Sequence, residues 1–277
     1  MNSAIPSGAC DCHVHVYDVS RPLAPTATFK PPHAPWSAYR AVQRALGLAR
    51  AVLVQPTGYG LDNSVLLDAL RQAGGAARGI VVLPADVGDT ELQRLHAQGV
   101  RGVRFMMLPG GVLPWEALAP MAARIAPLGW HVNLQLDGRE LPQRRDTIDA
   151  LPCDVVIDHT GKFLEPVPVS DPAFRALIAL LERPRRWVKL SAPYETSKSG
   201  PPNYDDVSLL ASTLVASHPD RCLWASNWPH PNRQPRPDDA AMLALLHAWA
   251  SDAAVRRRIL VDNAAAAFDF AGALSAP

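Results

Sequence analysis

No CxxC pair occurs in the chain, although it carries four cysteines, Cys10, Cys12, Cys153 and Cys222. Neither a disulfide framework nor a structural zinc site is therefore expected. Each cysteine lies in or beside an apolar run, where a reduced thiol behaves as a small hydrophobe. An excess of one charge is also missing: 27 basic residues face 26 acidic ones, a formal net charge of +1. The basic residues are scattered, so no nucleic-acid partner is expected, and the runs at 183–186 and 256–258 read as solvated helix ends. No apolar stretch approaches the roughly 18 residues of a membrane span, and no charged-then-apolar leader opens the chain. No membrane partner and a cytoplasmic location are the expectations. Repeats and low-complexity tracts are lacking, and no GxGxxG follows the first apolar run, which argues against a dinucleotide-binding open sheet.

What is present is apolar residue in quantity, 48% of 277 residues, enough for a large core in a single domain spanning 1–277. Short apolar or β-branched runs recur at 9–17, 49–55, 78–84, 100–107, 130–136, 154–159, 187–192 and 222–227. Near-continuous runs of this kind suit strands covered on both faces. Between most of them lie stretches of helical period, at 36–46, 63–72, 90–98, 116–126, 171–181 and 204–217, and two more follow at 251–260 and 263–271. Eight strands alternating with helices predict an α/β fold, a (β/α)8 TIM barrel with extra C-terminal helices.

Barrels of this type carry their reactive groups at the C-terminal ends of strands. The polar residues there are Asp11, His13 and His15 on the first strand, Gln55 on the second and Arg104 on the fourth. Asn133, Gln135 and Asp137 end the fifth, Asp158 and His159 end the sixth with Lys162 just beyond, and Ser191 and Tyr194 follow the seventh. Asn227 and Trp228 end the eighth, with His230 next. Alternation places Asp11, His13 and His15 on one face, which can be the interior. Two histidines buried side by side need polar partners, which favours a functional reading over simple packing. His33, His96, His218 and His247 read as surface residues, and His131, at the start of the fifth strand, as structural. Arg104 would either hold a substrate carboxylate or pair with an acid on a neighbouring strand. Lys162 would either face the pocket or lie on a solvent-facing loop.

Taken together, CDCHVHVYD, RFMMLPGG, QLDG, DHTGKF, YETS, NWPH and VDNAAAAF resemble the amidohydrolase superfamily. The likeness covers nearly the whole chain and falls in the branch of lactonases and lactone isomerases. It is nearest to the D-galactarolactone isomerases and more distant from the 2-pyrone-4,6-dicarboxylate lactonases. It implies a catalytic group of His13, His15, His159 and Asn227, with Arg104 and Lys162 on the carboxylate or lactone oxygen. Gln55, Gln135, Ser191, Tyr194 and His230 are the implied further substrate-binding residues. Hydrolases of this branch read DWPH, with the aspartate activating water, whereas Asn227 has no accessible conjugate base. The implied activity is therefore isomerisation of a sugar diacid lactone, D-galactaro- or D-glucaro-1,5-lactone to the 1,4-lactone. In that reaction a substrate hydroxyl, not water, attacks the carbonyl.

A metal site of the amidohydrolase type would also want a Lys or Glu from the fourth strand and an acid on the eighth. This chain offers neither, so no cofactor and no required metal are expected. His13, His15 and His159 are the set that would catch an adventitious ion. The partner expected is a small carboxylated lactone, bound by a monomer or small homo-oligomer. A lactone hydrolase using a histidine base, and a catalytically silent sugar-acid binder, are the alternatives.

Overall fold

Each apolar run nucleates a strand in the computed structural model, which describes residues 5–270. The strands are β1 (Cys10–Val14), β2 (Arg50–Val54), β3 (Ala77–Val81), β4 (Val100–Met106), β5 (His131–Gln135), β6 (Asp154–Ile157), β7 (Arg186–Leu190) and β8 (Cys222–Trp224). All seven neighbouring pairs are parallel, in the order β1 to β8. The ring closes through a short bridge between Val14 and Trp228, supported by His15 N–H donating to Trp228 O (2.8 Å) and Asn227 N–H donating to His13 O (3.0 Å). Residues of the site thus form part of the closing joint. The expected α/β TIM barrel is present.

Helices alternate with the strands: α1 (Trp36–Ala45), α2 (Ser64–Ala73), α3 (Asp89–Ala97), α4 (Leu118–Ile125), α5 (Leu141–Asp149), α6 (Pro172–Leu181), α7 (Asp205–Ser217) and α8 (Asp239–Trp249). Aspartates open several of them: Asp171 accepts from Ala173 N, and Asp238 from Ala241 N, each satisfying a donor that the first turn leaves free. The tail adds α9 (Ala253–Arg257), a π-turn (Arg258–Asp262) and α10 (Asn263–Phe268). The helix expected at 263–271 ends at Phe268, and its last residue, Ala271, lies outside the described residues. No helix among the described residues is long and apolar enough to cross a membrane.

Two helices escape the periodicity reading. In α5 only Leu141 and Ile148 are buried, so the repeating apolar signal is faint. In α8 apolar residues are nearly continuous, and period is lost for the opposite reason.

Side chains alternate between two apolar layers. Leu53, Val103, Phe105, Val132, Leu134, Ile157, Val188 and Leu190 pack outward among helix residues, while Val52, Val54, Ile80, Val156, Leu223 and Ala225 cluster with Phe268 of α10, which plugs the barrel from below. All four cysteines are buried free thiols, and Cys10 and Cys12 belong to that inner cluster.

One register shift matters for the site. Between Asp11 and Val14 the β1–β2 ladder slips by one residue, a bulge on β1. Cys10, Cys12, His13 and His15 therefore all reach the interior, and Asp11 does not. Its carboxylate instead accepts from Tyr39 Oη of α1 (3.1 Å), Ser226 N (2.9 Å), Ser226 Oγ (2.5 Å) and His13 N (3.3 Å). The expectation that Asp11 shares a face with His13 and His15 is corrected accordingly.

Candidate functional site

Alternation on the remaining strands sends Arg104, Asn133, Gln135, Asp158, Lys189 and Ser191 inward, and these meet His13 and His15 from β1. Deepest of the polar layer is Lys189, fully buried on β7. Its Nζ donates to Asn133 Oδ1 (2.5 Å), lies 3.1 Å from His13 Nδ1 and pairs with Asp158 Oδ1 at 3.1 Å. Three electronegative neighbours match the three N–H bonds of an ammonium. Asp158 in turn accepts from Asn133 Nδ2 at 2.8 Å. Burial alone would push the Asp158 carboxyl up, but the Lys189 ammonium beside it holds it well below the usual carboxylate range.

These contacts fix the tautomers of the histidines. His15 Nδ1 faces Val54 O at 2.8 Å, so that nitrogen carries the proton. His15 Nε2 must then accept from His13 Nε2, 3.2 Å away, which leaves His13 Nδ1 to accept from Lys189. Both rings are neutral. Burial, and then the Lys189 charge, holds His13 well below its ordinary pKa; burial and then Arg104 hold His15 down to about 3. The result is a directed chain of N–H donors running from Lys189 up to Val54 O.

Above this layer opens a cavity of about 390 Å³ at the C-terminal ends of the strands. His15, His159, Arg104, Lys162, Gln135 and Asn227 line it, so six of the residues singled out from sequence are brought together. Arg104 donates to Gln55 O (2.7 Å) and to Gln135 Oε1 (2.9 Å), and its Nε has no partner among the described residues. It pairs with no acid on a neighbouring strand, which leaves the guanidinium directed at the cavity. His159 Nδ1 lies 2.8 Å from Ser191 Oγ. Burial, with the nearby Lys162, Lys189 and Arg104 charges, lowers its pKa well below the ordinary value against the opposing pull of Asp158. Lys162 is buried rather than on a solvent-facing loop, and burial with the Arg104 and Arg233 charges brings it down to about 8.

Five sequence candidates stand behind the cavity wall. His13 lies beneath the floor, Gln55 Nε2 is tied to Gly60 O and Asp62 O, and Ser191 holds His159. Tyr194 Oη links Asn227 Nδ2 (3.0 Å) to His230 Nδ1 (2.9 Å), and His230 Nε2 continues to Asp239 Oδ1 (2.8 Å). These residues position the wall. His131, read as structural, is buried low in the barrel with its ring edge-on to Phe268. It fits there because residue 102 is glycine: a Cβ on Gly102 would come within 2.8 Å of the His131 ring. Of the four histidines read as surface residues, His33 is exposed and His96, His218 and His247 are half-buried.

Two charged cavity residues, Glu195 and Arg233, are absent from the sequence candidates. Glu195, in the turn after β7, accepts from Asn227 Nδ2 at 3.1 Å and forms an ion pair with Lys162. Arg233, beyond β8, reaches the same rim. Lys189 was missed as well, although a lone lysine between Val188 and Leu190 in a strand is a readable signal of an inward charge. Glu195 and Arg233 lie on loops, where no periodicity points.

Left-handed backbone recurs around this rim, at His159 (φ 52°), Thr160 (φ 55°), Lys162 (φ 51°), Asn227 (φ 61°) and His230 (φ 61°). Each such residue costs roughly 1–2 kcal/mol, and such strain gathers at functional sites. The larger cleft, about 650 Å³, lies at the opposite, N-terminal side between α2, β3 and α3. Its arginines are already engaged, Arg71 by Asp68, Arg78 by Asp269 O, Arg94 by Glu91 and Arg101 by the Asp269 carboxylate. It lacks the convergent chemistry of the barrel mouth.

Among the described residues, the group of histidines and acids close enough to hold a metal ion is His13, Asp158 and His159, not the expected His13, His15 and His159. That donor set does not fit a divalent ion. Lys189 Nζ already stands 3.1 Å from both His13 Nδ1 and Asp158 Oδ1, and the His15 Nε2 lone pair is spent on His13. An ion would have to share its position with a buried ammonium.

A family model described as Amidohydrolase matches residues 10–270. A 2-pyrone-4,6-dicarboxylate hydrolase of Comamonas testosteroni is 37% identical over 94% of this chain and 89% of its own length. A D-galactarolactone isomerase of Agrobacterium fabrum is 33% identical over 96% of this chain and 93% of its own. A solved apo structure from Agrobacterium tumefaciens superposes with a TM-score of 0.92 at 32% identity, covering 98% of this chain and 99% of that one.

Proposed function

The chain belongs to the amidohydrolase family, and from that premise we propose that it is an enzyme acting on carboxylated lactones. Its reaction is the isomerisation of a sugar diacid 1,5-lactone, D-galactaro- or D-glucaro-1,5-lactone, to the 1,4-lactone. The observation that carries this reading is Asn227. At the end of β8 it supplies an amide whose Nδ2 is spent on Tyr194 and Glu195 and whose buried Oδ1 has no partner among the described residues. An acceptor of that kind holds a sugar hydroxyl and cannot deprotonate water.

Arg104 and Lys162, with Arg233 at the rim, supply positive charge for the free carboxylate. Held in this cavity, a hydroxyl of the substrate attacks the lactone carbonyl, gaining the large effective molarity of an intramolecular reaction. The ring oxygen then leaves. His159 and the neighbouring cations face the developing oxyanion, in a site where fixed donors act with little reorganisation. Lys189 performs the charge balancing that a metal would otherwise perform, so the reaction proceeds without one.

A lactone hydrolase, on a substrate like that of the 2-pyrone-4,6-dicarboxylate relative, is the second reading. The three cations around the cavity favour it, since they suit a dicarboxylate as well as a sugar diacid. A proton NMR time course of chelator-treated protein with the two 1,5-lactones separates the readings. The 1,4-lactone appearing before the open diacid supports the isomerase. Direct appearance of the diacid overturns it.

A further inference from the structure

An amide at the end of β8 removes one carboxylate from the site, but the cavity contains another. Glu195 arrives from the turn after β7 and is held where it is by Asn227 itself, Nδ2 to Oε1 at 3.1 Å. Among the residues lining the cavity it supplies the one carboxylate. The histidines are poorly placed to accept a proton. His13 lies beneath the floor, the His15 Nε2 lone pair is occupied by His13, and a protonated His159 would face Lys162, Lys189 and Arg104.

We propose that Glu195 is the general base of this site, a carboxylate delivered from β7 in place of the one that Asn227 lacks. The proposal rests on the reading that the cavity takes a carboxylated lactone. Before substrate binds, Lys162 is paired with Glu195. A substrate carboxylate offers Lys162 a second anion, and as Lys162 turns to it, the Glu195 carboxylate is freed to accept a proton. Glu195 then takes the proton of the attacking hydroxyl as its oxygen bonds to the lactone carbonyl carbon. The ring C–O bond breaks, and the same proton passes from Glu195 to the departing oxygen. One ester bond forms, one breaks, the proton is returned, and no co-reactant is needed. Asn227 is then a positioning residue for the base as well as a substrate contact.

The test compares wild type, Glu195→Gln and Glu195→Ala on whichever lactone the wild type turns over, with folding checked by circular dichroism. Glu195→Gln is expected to lower kcat by about 100-fold or more, the usual worth of a general base, with little change in KM. Formate should restore part of the kcat of Glu195→Ala, while chloride at equal ionic strength should not. If Glu195→Gln keeps its kcat and only KM rises by about tenfold, uniform binding was lost, Glu195 merely neutralises Lys162, and the proposal is overturned. Failure of the isomerase reading shows separately, as diacid in place of 1,4-lactone from the wild type. The Glu195 comparison, read on diacid formation, still decides the proposal.

Discussion

Replacing Lys189 with methionine keeps a long side chain inside the barrel and removes only its charge. Lys189 and Asp158 are both fully buried, with Nζ and Oδ1 3.1 Å apart. At an effective dielectric constant of about 20, two unit charges at that distance attract by roughly 5 kcal/mol. Losing the lysine also removes its own desolvation cost, but it leaves the buried Asp158 charge with Asn133 Nδ2 (2.8 Å) and the neutral His13 ring (Nδ1 at 3.3 Å) in place of a full cation. Breaking one side of a buried pair in this way costs about 3–5 kcal/mol. For a chain of this size each kcal/mol moves Tm by roughly 2–4 °C, so Lys189→Met should melt at least about 6 °C below wild type. The same change vacates the place between His13, Asp158 and His159. Lys189→Met, unlike wild type, should therefore retain zinc through gel filtration and regain part of its lost Tm when zinc is added. Thermal unfolding and elemental analysis measure the two effects. A variant as stable as wild type that holds no zinc would refute the assignment of Lys189 as the internal cation.

Three further outcomes are expected. Asn227→Asp places a second carboxylate beside Glu195 and should raise the ratio of hydrolysis to isomerisation by about tenfold or more, read by NMR as diacid against 1,4-lactone; an unchanged ratio in a folded variant would contradict the role given to Asn227. Asp11→Ala leaves buried donors on Ser226, Tyr39 and the His13 backbone without their acceptor, so the β1–β8 joint should lose about 3 kcal/mol or more in denaturant unfolding. Lys162, drawn down to about 8, carries its charge below that pH and loses it above. kcat/KM for a carboxylated lactone should accordingly fall as pH rises through about 8, and Lys162→Arg, which stays protonated past pH 12, should abolish that alkaline limb.

Much of the site was legible because a barrel strand ties spacing to direction. His15, Arg104, Gln135 and His159 are polar residues at strand ends, and all four line the cavity. Gln55, Ser191, Tyr194 and His230 satisfied the same rule and stand one layer back. Position along a strand does not say whether a side chain ends at the cavity or on a neighbour. Asp11 went astray for a different reason: a single bulged residue inverts the alternation, and no residue type in CDCHV announces it.

Glu195 marks the other limit. It sits next to Tyr194, already a candidate, but in a turn with no period to set its direction. Only the packing of that turn against Asn227 and Lys162 brings its carboxylate to the site. What the sequence determined by itself was the barrel, its eight strands and the end that bears the chemistry, because eight short apolar runs separated by stretches of helical period are legible in residue order. What the tertiary structure decided was the electrostatic plan: an ammonium at the centre of the polar layer, a fixed tautomer chain above it, and a carboxylate brought to an amide. Those depend on distances of about 3 Å between residues far apart in the chain, and electrostatic energy in a buried site is governed by such distances.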